Sequence, residues 1–139
     1  MAAQGDLGTI MVVEDNDDIR AMYADILGEL GYGVISAADG AEALAILDER
    51  DIRPSLLIVD LEMPVLRGEG LVECFRARHE TADVPLLVVT VSPERTRNSE
   101  ATLGLPVLRK PFSLETFTAM VAELARPASV GASSRPPAL

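Results

Sequence analysis

The chain has 139 residues, of which 48% are apolar, and a formal net charge of −10. That length suits one compact domain, and the apolar fraction excludes an intrinsically disordered chain. The excess of acid excludes non-specific binding to nucleic acid, whose phosphates would be repelled.

Residues 1–7 read as a flexible N-terminus. The first apolar run, Ile10–Val13, is strand-like and ends at Glu14-Asp15. Ile19, Met22, Tyr23, Ile26, Leu27 and Leu30 then recur at helical spacing, with Asp17 and Asp18 favouring the helix start and Gly31 as its stop. A second strand is expected over Val34–Ala37, followed by a helix marked by Ala43, Leu44 and Leu47 that Asp39 can cap. The third strand, Leu56–Val59, ends at Asp60, and Leu71, Val72 and Phe75 mark the helix that follows. The fourth strand, Leu86–Val89, ends at Thr90. Ser92–Gly104 has only Ala101 and Leu103 as apolar residues, so any fourth helix there is expected to be short, displaced or mobile. A brief strand at Val107–Leu108 precedes a last helix carrying Leu114, Phe117, Met120, Val121 and Leu124, with Ser113 as its N-cap. Residues 127–139 read as a disordered polar tail, too poor in large apolar residues to form an output domain, so the chain is expected to act as a single domain over 8–126.

Wholly apolar strands alternating with helices predict an α/β fold: a doubly wound, five-stranded parallel sheet with helices on both faces. Pro106, lacking an N–H, fits the start of an edge strand. Cys74 is the only cysteine, which rules out a disulfide framework within the chain and fits a cytoplasmic setting. The opening MAAQGDLGT has no leader-peptide pattern, and no apolar run reaches membrane length.

Sheets of this kind bind ligands beyond the C-terminal ends of their strands. Glu14, Asp15 and Asp60 all fall there. Each alone reads equally well as a loop acid that caps a helix. Together they would repel one another without a cation, and an all-oxygen set suits Mg²⁺. An EF-hand reading of Asp15–Arg20 fails for want of the loop glycine and the bidentate glutamate. Of twelve basic residues eleven are arginine, and the one lysine, Lys110, directly follows the last strand. A lone ammonium among guanidinium groups points to a need for a compact charge, which can pair with Asp60 or with a phosphate oxygen. Pro111 permits a cis bond that would aim Lys110 inward. Thr90 can hydrogen-bond a phosphoryl oxygen, or be an ordinary strand-end threonine.

In order along the chain, Val12-Val13-Glu14-Asp15-Asn16, the segment Asp60-x-x-Met63-Pro64-x-x-x-Gly68, Thr90 and Lys110-Pro111-Phe112 resemble the receiver domains of two-component response regulators, of the chemotaxis-regulator kind, over about residues 8–126. The resemblance implies the flavodoxin-like strand order 2-1-3-4-5. It implies that Asp60 is a phosphoacceptor and that Mg²⁺ is held by Asp15, Glu14, Asp60 and the backbone carbonyl of Glu62. Thr90 and Lys110 would contact the phosphoryl group. The donor would be a sensor histidine kinase or histidine phosphotransfer protein docking on the first helix and last βα loop. A downstream protein would read the switch, without direct nucleic-acid or membrane binding, and the chain would be a monomer or a phosphorylation-dependent dimer. It would not be an enzyme beyond assisting its own phosphorylation and dephosphorylation. Two positions depart from the family pattern. Val107 stands where an aromatic is usual, and Val91 where a small residue is common. Val107 and the sparse fourth helix leave a phosphorylation-independent pseudo-receiver as an alternative. The pair Asp60 and Glu62 also echoes phosphoaspartate-type phosphatases, though the chain has little room for a cap. A flavin-binding protein would need a Ser/Thr/Gly-rich phosphate loop where Glu14–Asp18 stands.

Overall fold

The computed structural model describes residues 7–63 and 68–125. Most of the expected N-terminal segment, Pro64 of the motif and the expected tail fall outside the described residues. In chain order the elements are β1 (Thr9–Val13), α1 (Asp17–Glu29), β2 (Gly33–Ala37), α2 (Gly40–Glu49), β3 (Leu56–Asp60), α3 (Gly68–Ala77), β4 (Leu86–Thr90), α4 (Glu94–Arg97), β5 (Val107–Arg109) and α5 (Leu114–Leu124). The strands form one parallel sheet in the order β2-β1-β3-β4-β5. β1 and β3, whose ends carry the acids, are adjacent, with Val13 beside Val59.

Successive side chains of a strand point to opposite faces, and the core divides accordingly. Ile10, Val12, Ile58, Leu87 and Val89 pack with Tyr23 and Leu27 of α1 and Phe117 and Val121 of α5. Met11, Val13, Leu57, Val59 and Leu86 pack on the other face with Ala43 and Leu47 of α2 and Leu71, Val72 and Phe75 of α3. This double cover is why the central strands carry apolar residues without alternation. On the α1/α5 side the rings of Tyr23, Phe112 and Phe117 stack, with centroids 5.2–6.1 Å apart. These contacts tie the segment after Lys110 to α1.

Local chemistry sets the helix ends. The Asn16 side chain, one residue ahead of the two aspartates, accepts from the Ile19 N–H and caps α1. Asp39 accepts from Glu42 N–H while Glu42 accepts from Ala38 N–H, a reciprocal box that starts α2. Ser113 caps α5 as expected. Gly31, at φ +106°, ends α1 in the left-handed region open to glycine.

Three apolar positions assigned to buried helix faces differ: Met22, Leu30 and Leu114 are exposed. Each lies at the margin of its apolar stripe, where spacing alone does not separate the edge of a face from its centre. His79 lies just past α3 in a turn. α4 is a single turn of four residues, in line with its sparse apolar content. Its buried Thr96 and the following Thr102 are satisfied by backbone carbonyls, the Thr102 hydroxyl donating to Thr96 O at 3.0 Å. Among the described residues no helix is long and apolar enough to cross a membrane.

Candidate functional site

The C-terminal rim of the sheet gathers the acids. Glu14 follows β1 directly, Asp15 comes next, and Asp60 is the last residue of β3. Carboxylate oxygens from the three lie within 4.8 Å of one another. Glu14 and Asp60 are 1% and 2% exposed, whereas Asp15 faces solvent. Backbone donors orient both buried carboxylates: Asn16 N–H donates to Glu14 Oε2 (3.1 Å) and Glu62 N–H to Asp60 Oδ1 (2.9 Å). Arg20 braces the β1–α1 loop by donating to the Glu14 carbonyl at 2.8 Å while pairing with Asp17.

Lys110 enters from β5. Its backbone N–H donates to Thr90 O (2.9 Å), extending the β4–β5 ladder by one step. Its Nζ lies 3.2 Å from Asp60 Oδ2 and 3.8 Å from Glu14 Oε1. The Lys110–Pro111 bond is cis.

The charges shape one another. Burial, followed by the Asp60 carboxylate, pushes Glu14 up to about 7, against the pull of the Asn16 N–H and Lys110. Burial also raises Asp60, opposed by the Glu62 N–H and Lys110. Burial works to lower Lys110, but the Asp60 and Glu14 carboxylates outweigh it and leave the ammonium above its ordinary range. A buried group that resists ionisation beside two other acids is a pocket short of positive charge. Glu14 Oε1 makes this concrete, for it is buried and accepts no hydrogen bond. An all-carboxylate, partly open donor set with a spare buried oxygen fits a hard divalent cation such as Mg²⁺.

Thr90 stands at the end of β4, buried, beside this pocket. Its hydroxyl donates to Glu62 Oε2 and accepts from Ser92 N–H at 3.0 Å. Besides the backbone carbonyl expected to face a cation, Glu62 brings its side chain to the rim. It also accepts from Val91 N–H (3.3 Å) and from Arg95 Nη1 (3.1 Å). Arg95, on α4, was not singled out from sequence. It forks onto both oxygens of Glu69 at 2.9 and 3.0 Å and donates to Leu61 O at 3.1 Å. The separations of 26 and 33 residues leave no local pattern to read, so only the packing of α3 and α4 against the β3 end reveals it.

Gly68, in the motif after Asp60, has a steric reason. A Cβ there would lie 2.7 Å from Leu61 Cα and 2.9 Å from Asp60 O, so the start of α3 packs directly on the backbone that carries Asp60. On the opposite side, a groove of about 380 Å³ runs between α1 and the β5–α5 loop. Its lining includes Ile19, Tyr23, Phe112 and Lys110, together with the exposed Met22 (43%) and Val91 (53%).

A 2-1-3-4-5 parallel sheet with three acids and one ammonium at its rim defines a flavodoxin-like domain with an acidic cation pocket. The model of the response regulator receiver domain family matches residues 10–122, and the chain belongs to that family. It is 37% identical over 125 residues to the sensor histidine kinase TmoS of Ectopseudomonas mendocina, covering 87% of this chain and 12% of TmoS. The chain spans about half or less of the length of the first curated relatives it matches. Among solved structures it resembles the chemotaxis response regulator CheY4 of Vibrio cholerae (TM-score 0.75, 33% identity, 84% of this chain and 97% of that one). It also resembles the receiver domain of sensor histidine kinase PA1611 from Pseudomonas aeruginosa PAO1, which has a magnesium ion coordinated in its active-site cleft (TM-score 0.74, 26% identity, 84% and 96%).

Proposed function

We propose that this receiver domain accepts a phosphoryl group on the Asp60 carboxylate from a phosphohistidine of a sensor histidine kinase or phosphotransfer protein, and that the change alters a protein-binding face. The observation that carries this is the placement of Lys110 Nζ 3.2 Å from Asp60 Oδ2 and 3.8 Å from Glu14 Oε1, a buried carboxylate oxygen that accepts no hydrogen bond.

Transfer of a phosphoryl group asks little covalent chemistry of the protein; positioning and charge neutralisation do most of the work. Asp60 is held by the Glu62 N–H and Lys110, with one oxygen turned to each. Attack in line forms an Asp60 O–P bond as the donor N–P bond breaks, and the imidazole leaves with the electron pair. Lys110 offsets the charge on the phosphoryl oxygens, and the Thr90 hydroxyl can donate to one of them after leaving Glu62. Mg²⁺, held by Glu14, Asp15, Asp60 and the Glu62 carbonyl, supplies further neutralisation when bound. Water later attacks phosphorus, the acyl O–P bond breaks, and the Asp60 carboxylate returns with release of phosphate. The chain in this reading is a phosphoacceptor that assists its own turnover and not an enzyme acting on a free substrate. The largely apolar groove that Lys110 helps to line would give a donor a seat near Asp60.

Two alternatives meet specific geometry. The pseudo-receiver reading draws on the Thr90 hydroxyl, already engaged by Glu62. Against the phosphatase reading, the acid two residues after Asp60 is engaged by Thr90, Val91 and Arg95 rather than left free to exchange a proton with a leaving group. The test is intact-mass measurement after incubation with acetyl phosphate, with and without Mg²⁺, on the parent and Asp60→Asn. A phosphate-sized adduct on the parent alone and dependent on metal is expected. No adduct favours the pseudo-receiver, adduct on both variants moves the acceptor, and hydrolysis of simple phosphate esters favours the phosphatase.

A further inference from the structure

Glu62 sits beside the place a phosphoryl group on Asp60 must occupy. Its backbone N–H is bonded to Asp60 Oδ1 and its carboxylate to the Thr90 hydroxyl. A carboxylate there repels an incoming dianion unless it is neutralised and kept to one side. Lys110 does not do this, for its ion-pair partners within 4 Å are Asp60 and Glu14. Arg95 is the cation on Glu62, at 3.1 Å. Its own position is fixed from behind by the forked bonds to Glu69 of α3 and by Leu61 O. A planar guanidinium anchored through Nε and Nη2 presents Nη1 in a set direction, which a flexible ammonium does not.

We propose that Arg95 is a positioning residue for phosphoryl acceptance, acting through Glu62: it neutralises that carboxylate, holds it to the Thr90 side of the pocket, and keeps it there when Thr90 turns to the phosphoryl group. This rests on Asp60 being the acceptor. Thr90 cannot serve a phosphoryl oxygen and Glu62 with the same proton, so acceptance removes one donor from Glu62. With Arg95 and the Val91 N–H in place, Glu62 keeps two donors through that exchange. Without Arg95 it keeps one, and its charge is free to face the dianion. Because Arg95 belongs to the single turn of α4, the same contact ties the place of α4 to the state of Thr90.

The experiment follows the rate of adduct formation by intact mass, with acetyl phosphate and Mg²⁺, for the full chain and for Arg95→Gln, Glu62→Gln and the double variant. In each the donor's P–O bond breaks as the Asp60 O–P bond forms, and acetate leaves. Thermal unfolding of each variant checks that it is folded. Arg95→Gln is expected to slow the parent about tenfold, the effect of one partly screened like charge beside a dianion. In the Glu62→Gln background the same substitution is expected to change the rate less than twofold, because the charge it offset is gone. Arg95→Lys, which keeps the charge and loses the fork, is expected to fall between parent and Arg95→Gln. Equal slowing in both backgrounds makes Arg95 merely structural and overturns the proposal, as does an unchanged rate in Arg95→Gln. No adduct on the parent overturns the acceptor reading and this proposal with it, whereas adduct on the parent with equal rates in all four overturns the role of Arg95 alone.

Discussion

Glu14 makes the metal-free domain sensitive to pH in a direction that can be worked out. Buried beside Asp60 and Asp15, with only Lys110 and the Asn16 N–H to oppose, it is held at about 7 against an ordinary 4.5. The folded chain therefore binds this proton more tightly than the unfolded chain, and stability falls as pH rises through the range in which the folded state alone carries it. That contribution is fully present below about 4.5 and is lost as pH rises through about 7. At about 1.4 kcal/mol for each tenfold difference in proton affinity, the loss is about 3 kcal/mol, a large part of a typical domain stability. Asp60, also raised, adds in the same direction, while Lys110 titrates far above this window. The assay is urea unfolding at pH 5 and pH 8 in chelator, for the parent and Glu14→Gln. The parent is expected to lose markedly more stability between the two pH values than the variant. Mg²⁺ at pH 8 is expected to restore the parent, since a cation that binds only the folded, deprotonated site stabilises by mass action, and to do little at pH 5. Equal losses in parent and variant, or equal Mg²⁺ effects at both pH values, would show that Glu14 does not face the acids and cation site as described.

Other perturbations probe separate parts of the same arrangement. Lys110→Met strands two buried carboxylates; loss of one partner of a buried pair costs about 3–5 kcal/mol, and with 20% of the lysine side chain exposed about 2 kcal/mol is expected at pH 8, less at pH 5, read by urea unfolding. Gly68→Ala forces a Cβ against the backbone of Asp60 and Leu61 and is expected to cost about 1–3 kcal/mol, visible as a lowered Tm, with slower adduct formation because the same backbone carries the acceptor. Tyr23→Phe removes a buried hydroxyl with no partner and is expected to be neutral or stabilising by about 1 kcal/mol in the same unfolding assay; a loss of that size would mean the hydroxyl is bonded in solution.

The parts of this domain written in short stretches of sequence were legible there. Strands covered on both faces must be apolar throughout, so Leu57-Ile58-Val59 and Leu87-Val88-Val89 announce a buried parallel sheet. The acids at Glu14, Asp15 and Asp60 were legible for a related reason: a strand end is a fixed place, and residues that follow two neighbouring strands meet at one rim. Finer assignments failed where one or two residues decide. Asn16, not singled out as a cap from sequence, caps α1 ahead of the two first-turn aspartates, and Met22 turns outward. The Glu62–Arg95–Glu69 contacts were not legible at all. Long charged side chains on a loop and a single helical turn have no periodicity to betray them, and their pairing follows from how closely α3 and α4 approach the end of β3.

That illegible part bears on how the domain signals. Val107, where an aromatic is usual, is a half-buried aliphatic on β5 with no ring to report a change at Thr90. The hydroxyl of Thr90 is tied the other way, through Glu62 to Arg95 and so to α4. α4 has one turn, one buried residue in Thr96, and little apolar surface to hold it. The polar contacts of Arg95 join it to Glu62, Glu69 and Leu61, and on the proposed phosphoryl acceptance by Asp60 a charge of about −2 would arrive beside them. On the proposed reading, a short helix held by a salt bridge would be a more responsive reporter than a long one held by a core, because the free energy that holds it is of the same order as the hydrogen bond that would move.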